Sequence, residues 1–456
     1  MFKQNHLGQM KRIIIFIAVI GLVVILPGFY HSGGENGDTR SSAPGDGPQP
    51  EGWYSGDMHV HRNCGGDSIT PVKDLIKEME VNDLMFLTVL ADMGNGEVKD
   101  SEIDLARVTG GDAPESTSER VVRFDAEWHW DPEWVTFENK ALGGHIIFLG
   151  LKEARQIWEE SLYKVLEWGR KQNAVSGFAH MQHLDGTVQD NLTCCIPIDY
   201  PVEAAMGTID FISEDIRGSE SVLSAYYRLL NCGFRLGLAA GTDYPCNHIL
   251  LPYKEPLGTL LTYVKIEGSP DYKKWAEGIK YGRTVISRNR NNEFLDLTVN
   301  GNCGPGDDIR AKEKADVSVV VKWTAKKQLF GRIELIRNGE VVAVQPGTSL
   351  PGEPLVLEVE QEFEKSGWLC ARRMDENGHQ SHTGAVYVTV DYMPVRASAG
   401  DAEYFVSWID NLLENISPGG RWHKYYKNDY QEVRHRYIEA RKIYRQISEE
   451  AGDWNK

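Results

Sequence analysis

Seven apolar runs that alternate with helical patterns between residues 51 and 290 most constrain what this chain can fold into. The runs cover residues 52–61, 84–92, 121–130, 144–151, 174–181, 209–215 and 235–243. Between two of these runs, Leu162, Val165 and Leu166 recur three or four positions apart, which is typical of one face of an α-helix. Repeated strand-then-helix order predicts a parallel sheet, and here an α/β barrel.

Most of the predicted strands carry a histidine or an acid near one end. His59 and His61 close the first strand two positions apart, so their imidazoles point to the same face of the sheet. A His-x-His pair alone is more often an incidental surface feature. The other candidates of this kind are Glu127, His145, His180 and Asp243. Because α/β barrels gather such strand-end residues around one central site, we expect all six to lie together.

Four imidazoles and two carboxylates are a donor set that can hold two divalent metal ions, with one carboxylate bridging them. Two such ions, about 3.5–4 Å apart, lower the pKa of a shared water molecule and polarise the group under attack. The set therefore predicts a metal-dependent hydrolase in which a metal-bridging hydroxide attacks an ester, carbamate or amide, or phosphoester bond of a small molecule. Zn, Mn and Fe are the candidate ions.

The order and spacing of these residues resemble those of the PHP (polymerase and histidinol phosphatase) metallohydrolases, and within them the CehA/McbA-like branch. The matching positions are Asp57–His61, Glu127, Gly144–Ile146, Ala179–His180, Gly241–Asp243 and the segment from Trp275 to Val285. The resemblance implies a distorted (β/α)7 PHP-type barrel over residues 51–290. It also implies that His59, His61, Glu127 and Asp243 hold one ion, and that Glu127 bridges to a second ion held by His145 and His180.

One departure from that family concerns a third metal site. The family often uses two further histidines, and this chain has Met93 and Pro245 in their places. Neither side chain can replace imidazole as a zinc ligand, so Asp67 would be left without partners there. We expect two ions and an absent or weak third site, and the loss puts the usual phosphatase chemistry of the family in doubt.

Three residues are candidates for catalytic roles beside the ions. Asp243 could accept a proton as well as hold a metal. Asp92 ends a buried strand and could be an extra ligand or support one. His183 could be a general acid, with an exposed loop histidine as the alternative.

Four further residues near the predicted site have weaker claims to a function. Arg62 could stabilise an oxyanion, although a salt-bridged arginine is the expected outcome. Glu214 could orient a ligand histidine. His248 lies at the predicted mouth, and we expect His129 to be structural.

Alternation with period two replaces the helical pattern after residue 291. Val317, Val319, Val321 and Trp323 show it, and Asn338-Gly339 is typical of a hairpin turn. The pattern predicts a β-sandwich domain over residues 291–393, followed by C-terminal helices over 394–456. We assign no chemistry to the sandwich histidines, His379 and His382.

The N-terminus has the pattern of an export signal. Lys3, Lys11 and Arg12 precede an uncharged run from residue 13 to 30. Residues 1–30 are therefore predicted to be a signal peptide or an N-terminal membrane anchor. Residues 31–50, rich in Gly, Ser and Pro, are predicted to be a flexible linker. The protein would then be periplasmic or extracellular, either secreted or tethered by residues 13–30.

Charge and cysteine content exclude some classes of protein. A formal net charge of −17 argues against nucleic acid as a partner. The seven cysteines contain no Cys-x-x-Cys pair, and their disulfide pairing cannot be read from their spacing.

An alternative to the hydrolase is a non-catalytic exported binding protein with a metal-stabilised, degenerate PHP barrel.

Overall fold

The structure is a computed structural model, and it describes residues 47–64, 68–94, 100–129, 144–157, 160–181, 197–215, 221–247, 255–426 and 428–454. The predictions for residues 1–30, most of the linker, Asp67, His183 and His248 fall outside these ranges and stay predictions. Within them, no helix combines the length and the apolar character needed to cross a membrane. The mixed α/β class with C-terminal helices is confirmed.

Nine strands form the first part of one large sheet. They are β1 (Trp53–Val60), β2 (Phe86–Asp92), β3 (Val121–Trp128), β4 (Ile146–Leu149), β5 (Val175–Phe178), β6 (Phe211–Glu214), β7 (Gly237–Ala240), β8 (Leu261–Lys265) and β9 (Thr284–Ser287). Their order across the sheet is β9-β8-β1-β2-β3-β4-β5-β6-β7. All seven predicted strands are therefore present, and from β1 to β7 neighbours in the chain are neighbours in the sheet.

The helices of this part lie between the strands along the chain. They are α1 (Val72–Asn82), α2 (Ser101–Leu105), α3 (Leu162–Lys171), α4 (Tyr200–Ala205), α5 (Ser221–Asn231) and α6 (Tyr272–Lys280). In α6, the Asp271 side chain accepts a hydrogen bond from Lys274 N at 2.8 Å and so caps the first turn. Trp275 and Ile279 are buried on one face of this helix, as the period of 3.6 residues requires.

The fourth strand runs antiparallel to both of its neighbours, and this corrects the predicted all-parallel barrel. The β1–β2, β2–β3, β5–β6 and β6–β7 pairs are parallel, whereas β4 is antiparallel to both β3 and β5. Reversal of β4 places its N-terminal end at the edge where its parallel neighbours have their C-terminal ends. His145, which immediately precedes β4, therefore reaches the same edge as residues that follow the other strands.

The segment after β7 returns to β1 without a continuous strand ladder among the described residues. Val60 and Tyr244 form an isolated parallel bridge, and His61 N donates to Tyr244 O at 2.6 Å. The Thr284 hydroxyl donates to Leu238 O at 2.7 Å and so joins β9 to β7. The ladders thus form an open mixed series whose ends are linked by local contacts, rather than the strict (β/α)7 order expected from the sequence.

The second half of the chain contributes nine more strands, in the region where the period-two pattern predicted β-structure. They are β10 (Glu293–Val299), β11 (Asp308–Ala311), β12 (Ala315–Ala325), β13 (Leu329–Arg337), β14 (Glu340–Ser349), β15 (Leu355–Phe363), β16 (Gly367–Asp375), β17 (Gly378–Thr383) and β18 (Val386–Val390). Strands β10, β12 and β15 form a separate antiparallel sheet. The hairpin turn at Asn338-Gly339 is confirmed, since both residues have positive φ, 50° and 91°.

The remaining strands of this half belong to the large sheet, which crosses the predicted domain boundary. Strand β17 pairs antiparallel with β9, with Ser381 opposite Ser287. The sheet therefore continues from the first half of the molecule into the second. One layer of the predicted sandwich is an extension of the sheet that carries the strand-end residues.

Two C-terminal helices, α7 (Ala399–Ile416) and α8 (Tyr430–Trp454), are present as predicted. The Trp408 indole donates to Ile198 O, and the Tyr444 hydroxyl donates to Pro201 O, each at 2.8 Å. These bonds attach the pair to the segment that contains α4.

One disulfide, between Cys64 and Cys246, joins the segment after β1 to the segment after β7, with 5.1 Å between the two Cα atoms. The cysteine pattern did not predict this pairing. Cys232, Cys303 and Cys370 are free thiols, and Cys194 and Cys195 lie outside the described residues.

Candidate metal centre

The six predicted ligand residues form one cluster, with Glu127, near the end of β3, at its centre. The two carboxylate oxygens of Glu127 face different imidazoles. Oε2 lies 3.0 Å from His61 Nε2 and 3.3 Å from His59 Nε2. Oε1 lies 2.9 Å from His145 Nδ1 and 3.7 Å from His180 Nε2. All five side chains are buried. One carboxylate is thus shared between two pairs of histidines.

Asp243, three residues after β7, adds a second carboxylate on the side of the first histidine pair. Its Oδ1 lies 3.5 Å from Nε2 of both His59 and His61. Three groups have potential ligand atoms within 4.8 Å of one another: His59–His61–Glu127, Glu127–His145–His180 and His59–His180–Asp243. The structure therefore brings together all six residues predicted from the sequence as metal ligands.

Two residues of the cluster have backbone conformations that L-amino acids seldom adopt. His180 has φ of 57° and Asp243 has φ of 50°, both in the left-handed region. This region costs a residue other than glycine about 1–2 kcal/mol, because Cβ approaches its own carbonyl oxygen. Such conformations persist where surrounding contacts fix them, and they concentrate at functional sites.

Hydrogen bonds at the far side of two rings fix which nitrogen faces the cluster with a lone pair. His61 Nδ1 lies 2.9 Å from Leu90 O, and a carbonyl oxygen only accepts, so Nδ1 carries the proton. In a neutral imidazole, Nε2 then presents its lone pair to the Glu127 carboxylate. His59 has the same arrangement, with Nδ1 at 3.0 Å from Asp215 Oδ1. Two acceptors at these distances attract each other only with a proton or a cation between them.

The pKa shifts of three of the imidazoles also show that the surrounding carboxylates favour a positive charge in the cluster. Burial opposes charging of His59, but Glu127, Asp243 and Asp215 outweigh it and hold the pKa of His59 well above its ordinary value. Burial likewise opposes charging of His61 and His180, and hydrogen bonding to Glu127 raises the pKa of both.

The pKa shifts of the two carboxylates have opposite directions, and the shift of His145 differs from those of the other three histidines. Burial disfavours the charged form of Glu127, yet His59 and His145 hold its pKa well below the ordinary value. Burial raises the pKa of Asp243 to about 6 against the pull of the histidines. Burial and the neighbouring His129 lower the pKa of His145, which favours the neutral form that a metal ligand requires.

The residues fit two divalent ions that share Glu127. Each of the three ligand groups is buried and mixes imidazole nitrogen with carboxylate oxygen, a donor set suited to Zn, Mn or Fe. A bound cation would also lie between the facing lone pairs of the imidazoles and carboxylates. The His59–His61–Glu127 group, with Asp243 beside it, and the Glu127–His145–His180 group are called the first and second subsites below.

Asp57, which the sequence placed in a motif without a role, joins two ligand-bearing segments. Its carboxylate accepts hydrogen bonds from Thr242 N at 3.0 Å, the Thr242 hydroxyl at 2.6 Å and Gly258 N at 3.2 Å. It also accepts from His59 N at 3.2 Å. Asp57 thereby holds the end of β1 against the turn that presents Asp243.

Glu214 does not orient a ligand histidine, and Asp215 beside it does. The Glu214 carboxylate accepts from Arg288 Nε and lies 2.8 Å from His379 Nε2, on the side of the second half of the chain. Asp215 contacts His59 instead. Adjacent residues of an extended segment point to opposite faces, so an error of one position reverses the role.

Asp92 belongs to none of the ligand groups found among the described residues. Its Oδ1 accepts from Gly94 N at 2.7 Å and lies 3.4 Å from His129 Nε2. The His129 ring stacks on that of His145, with 4.2 Å between centroids and 19° between planes. His129 is structural, as expected, and its structural role concerns the site: together with Asp92 it supports His145, a residue of the second subsite.

Arg62 does not face the ligand groups. It forms a salt bridge with Asp104 at 2.5 Å and donates from Nε to Thr70 O at 2.9 Å, as the salt-bridge interpretation expected. Met93, at one of the two positions of the family's third site, is fully buried, and its N–H donates to Glu127 O at 2.8 Å.

No protein-family model matches the sequence, and neither does any curated protein. Among solved structures, a two-domain protein from Bacteroides vulgatus, described as containing a predicted PHP-like metal-dependent phosphoesterase, is 12% identical with a TM-score of 0.41. That match covers 76% of this chain and all of the other. The CARDB domain of PF1109 from Pyrococcus furiosus is 17% identical, with a TM-score of 0.17, over 22% of this chain and 98% of its own. TM-scores this low do not establish a shared fold.

Proposed function

We propose that this protein is a metal-dependent hydrolase with two divalent ions at the candidate metal centre. The observation that carries the proposal is the position of Glu127, whose Oε2 faces His59 and His61 while its Oε1 faces His145 and His180. A carboxylate shared in this way between two buried imidazole pairs can bridge two metal ions.

Bound divalent ions would lower the pKa of a water molecule and polarise the carbonyl or phosphoryl group under attack. The residues of the chain prepare for this chemistry. Leu90 O and Asp215 hold the Nδ1 protons of His61 and His59, which keeps each Nε2 lone pair directed into the cluster. Asp243, whose carboxylate lies beside the first histidine pair, is the group proposed to accept a proton.

The finer assignments are part of the same proposal. The pattern of ligand residues supports a PHP-type hydrolase of the CehA/McbA-like branch, acting on an ester, carbamate or amide, or phosphoester bond of a small molecule. The Cys64–Cys246 disulfide supports export, because disulfides persist in oxidising compartments. Residues 1–30 would then be the signal peptide or membrane anchor.

The test begins with the metal content of the purified full chain, measured by elemental analysis before any metal is added. We expect about two transition-metal ions per chain and a loss of metal in His59→Ala. The same preparations are then assayed on nitrophenyl esters, carbamates, phosphomonoesters and phosphodiesters.

Hydrolysis of one class by the wild type, abolished in a folded His59→Ala variant, would establish the activity and the bond. Full activity in that variant would refute the proposal. Two bound ions with no hydrolysis of any class would instead favour the metal-stabilised binding protein.

A further inference from the structure

Asp215, the residue that follows β6, contacts a ligand of each subsite with the same carboxylate. Oδ1 accepts from His59 Nδ1 at 3.0 Å and from the Ser213 hydroxyl at 2.9 Å. Oδ2 accepts from the backbone N–H of His180 at 2.6 Å. The side chain is fully buried. The two oxygens therefore serve two different residues that the sequence separates by more than a hundred positions.

The two contacts fix different properties of the ligands. The bond to His59 fixes a tautomer, because a proton held on Nδ1 leaves the Nε2 lone pair for the first subsite. The bond to His180 fixes a backbone, because this residue has φ of 57° and its N–H is held by the carboxylate. Loss of the carboxylate would release both at once.

The main chain of Asp215 extends the same network to the segment that carries a third ligand residue, Asp243. Asn247 donates from Nδ2 to Asp215 O at 2.8 Å and to Thr242 O at 3.2 Å. Thr242 precedes Asp243, the second ligand residue with a left-handed backbone, at φ of 50°. Both left-handed ligand residues are thus held by contacts that meet at Asp215.

We propose that Asp215 is a positioning residue shared by the two metal subsites, so that its loss weakens ion binding at both. The inference rests on the proposed metal binding, though not on hydrolysis. Asp215 holds the His59 ring of the first subsite and the His180 backbone of the second through the same carboxylate. Ion binding at both subsites therefore depends on Asp215.

Glu214 provides a matched control on the adjacent position. Both carboxylates are fully buried at the end of β6, and both accept hydrogen bonds from charged or polar partners. Glu214 faces Arg288 and His379, away from the subsites. A substitution there disturbs the core to a similar degree without touching a ligand residue.

The experiment is a calorimetric titration of the metal-free full chain with Co(II), followed by the visible absorption of the bound ion. Wild type, Asp215→Ala, Asp215→Asn and Glu214→Gln are compared. We expect Asp215→Ala to weaken both binding steps by about 10- to 100-fold. An asparagine has one acceptor oxygen, so Asp215→Asn keeps one of the two contacts and lies between. Glu214→Gln should bind both ions as the wild type does.

Binding of both ions by folded Asp215→Ala or Asp215→Asn with wild-type affinities would overturn the inference. So would a loss confined to one step, or an equal loss in Glu214→Gln. Thermal unfolding of each metal-free variant identifies those that fold, and Asp215→Asn provides the test if Asp215→Ala does not. A wild type that binds no Co(II) would overturn both this inference and the proposed function, whereas metal binding without hydrolysis would affect the latter alone.

Discussion

At the scale of single residues, the site depends on where one carboxylate places its two oxygens. Glu127 contacts all four imidazoles of the cluster. The side chains that fix these contacts, Asp57 and Asp215, are themselves buried acids that touch no exposed surface. The positions of Asp57 and Asp215 are fixed by hydrogen bonds from backbone N–H groups, which a carboxylate can accept at both oxygens.

The substitution Glu127→Gln tests the bridging role directly. The amide has one acceptor oxygen and no charge, so it cannot serve both subsites. We expect metal content to fall from about two ions per chain to one or none, measured by elemental analysis.

Glu293→Gln is the control, because Glu293 is fully buried in β10 and belongs to none of the ligand groups among the described residues. Two ions retained in Glu127→Gln would contradict the bridging assignment.

A second prediction at this scale concerns the stability of the junction between α4 and α8. Burial raises the pKa of Asp199 from its ordinary value of 3.8 to about 7, against a hydrogen bond from the Tyr437 hydroxyl. Because the folded pKa exceeds the unfolded one, the folded state gains stability below pH 4 and loses it as the pH rises towards 7.

Urea unfolding of wild type and Asp199→Asn between pH 4 and pH 8 measures this effect. The free energy of unfolding of the wild type should fall relative to the variant by at most about 4 kcal/mol over that range, at about 1.4 kcal/mol per unit of pKa. Parallel curves for the two proteins would show that Asp199 does not titrate in this way.

At the scale of elements, α6 shows how a local pattern becomes a core contact. Trp275 is fully buried and stacks on Phe86 of β2, with 5.5 Å between ring centroids. We expect Trp275→Ala to lower the free energy of unfolding by about 3–5 kcal/mol, measured by urea denaturation. Lys273→Ala on the exposed face of the same helix should change it by less than about 0.5 kcal/mol. Equal effects of the two substitutions would argue against this packing.

The elements also show what the sequence could and could not predict. The seven strands and the six strand-end residues were predictable because apolar runs and polar ends are local patterns. The direction of β4 was not, because its four apolar residues, Ile146–Leu149, suit a parallel or an antiparallel strand equally. The role of orienting a ligand histidine was assigned to Glu214 rather than to the adjacent Asp215. The position of a strand end does not determine which of two adjacent acids faces inwards.

At the scale of the whole molecule, pairing between distant strands decides the architecture. The ladder between β17 and β9 makes one sheet of two regions that the change in periodicity separated. The sequence of neither strand indicates that the two strands pair, because the paired residues lie about a hundred positions apart. The same holds for Cys64 and Cys246, whose sequence separation is 182.

Continuity of the sheet predicts that its two regions unfold together. Arg288, after β9, forms an ion pair with Glu214 and donates to His379 O at 3.0 Å, so the seam is both paired and buried. Scanning calorimetry should give one transition over residues 51–393. Arg288→Ala should lower the free energy of unfolding by about 3–5 kcal/mol, because it leaves the Glu214 charge buried and unpaired. Two separate transitions in the wild type would contradict this coupling.

The Cys64–Cys246 bond has one more consequence, which concerns the connectivity of the chain. It closes a covalent ring that contains Glu127, His145, His180 and Asp243, while His59 and His61 lie just outside it. A protease that cuts once anywhere within this ring converts the chain into two polypeptides that remain one molecule. Such a nicked protein would migrate as two fragments on a denaturing gel only after reduction, and until then it would keep all six ligand residues on a single covalent body.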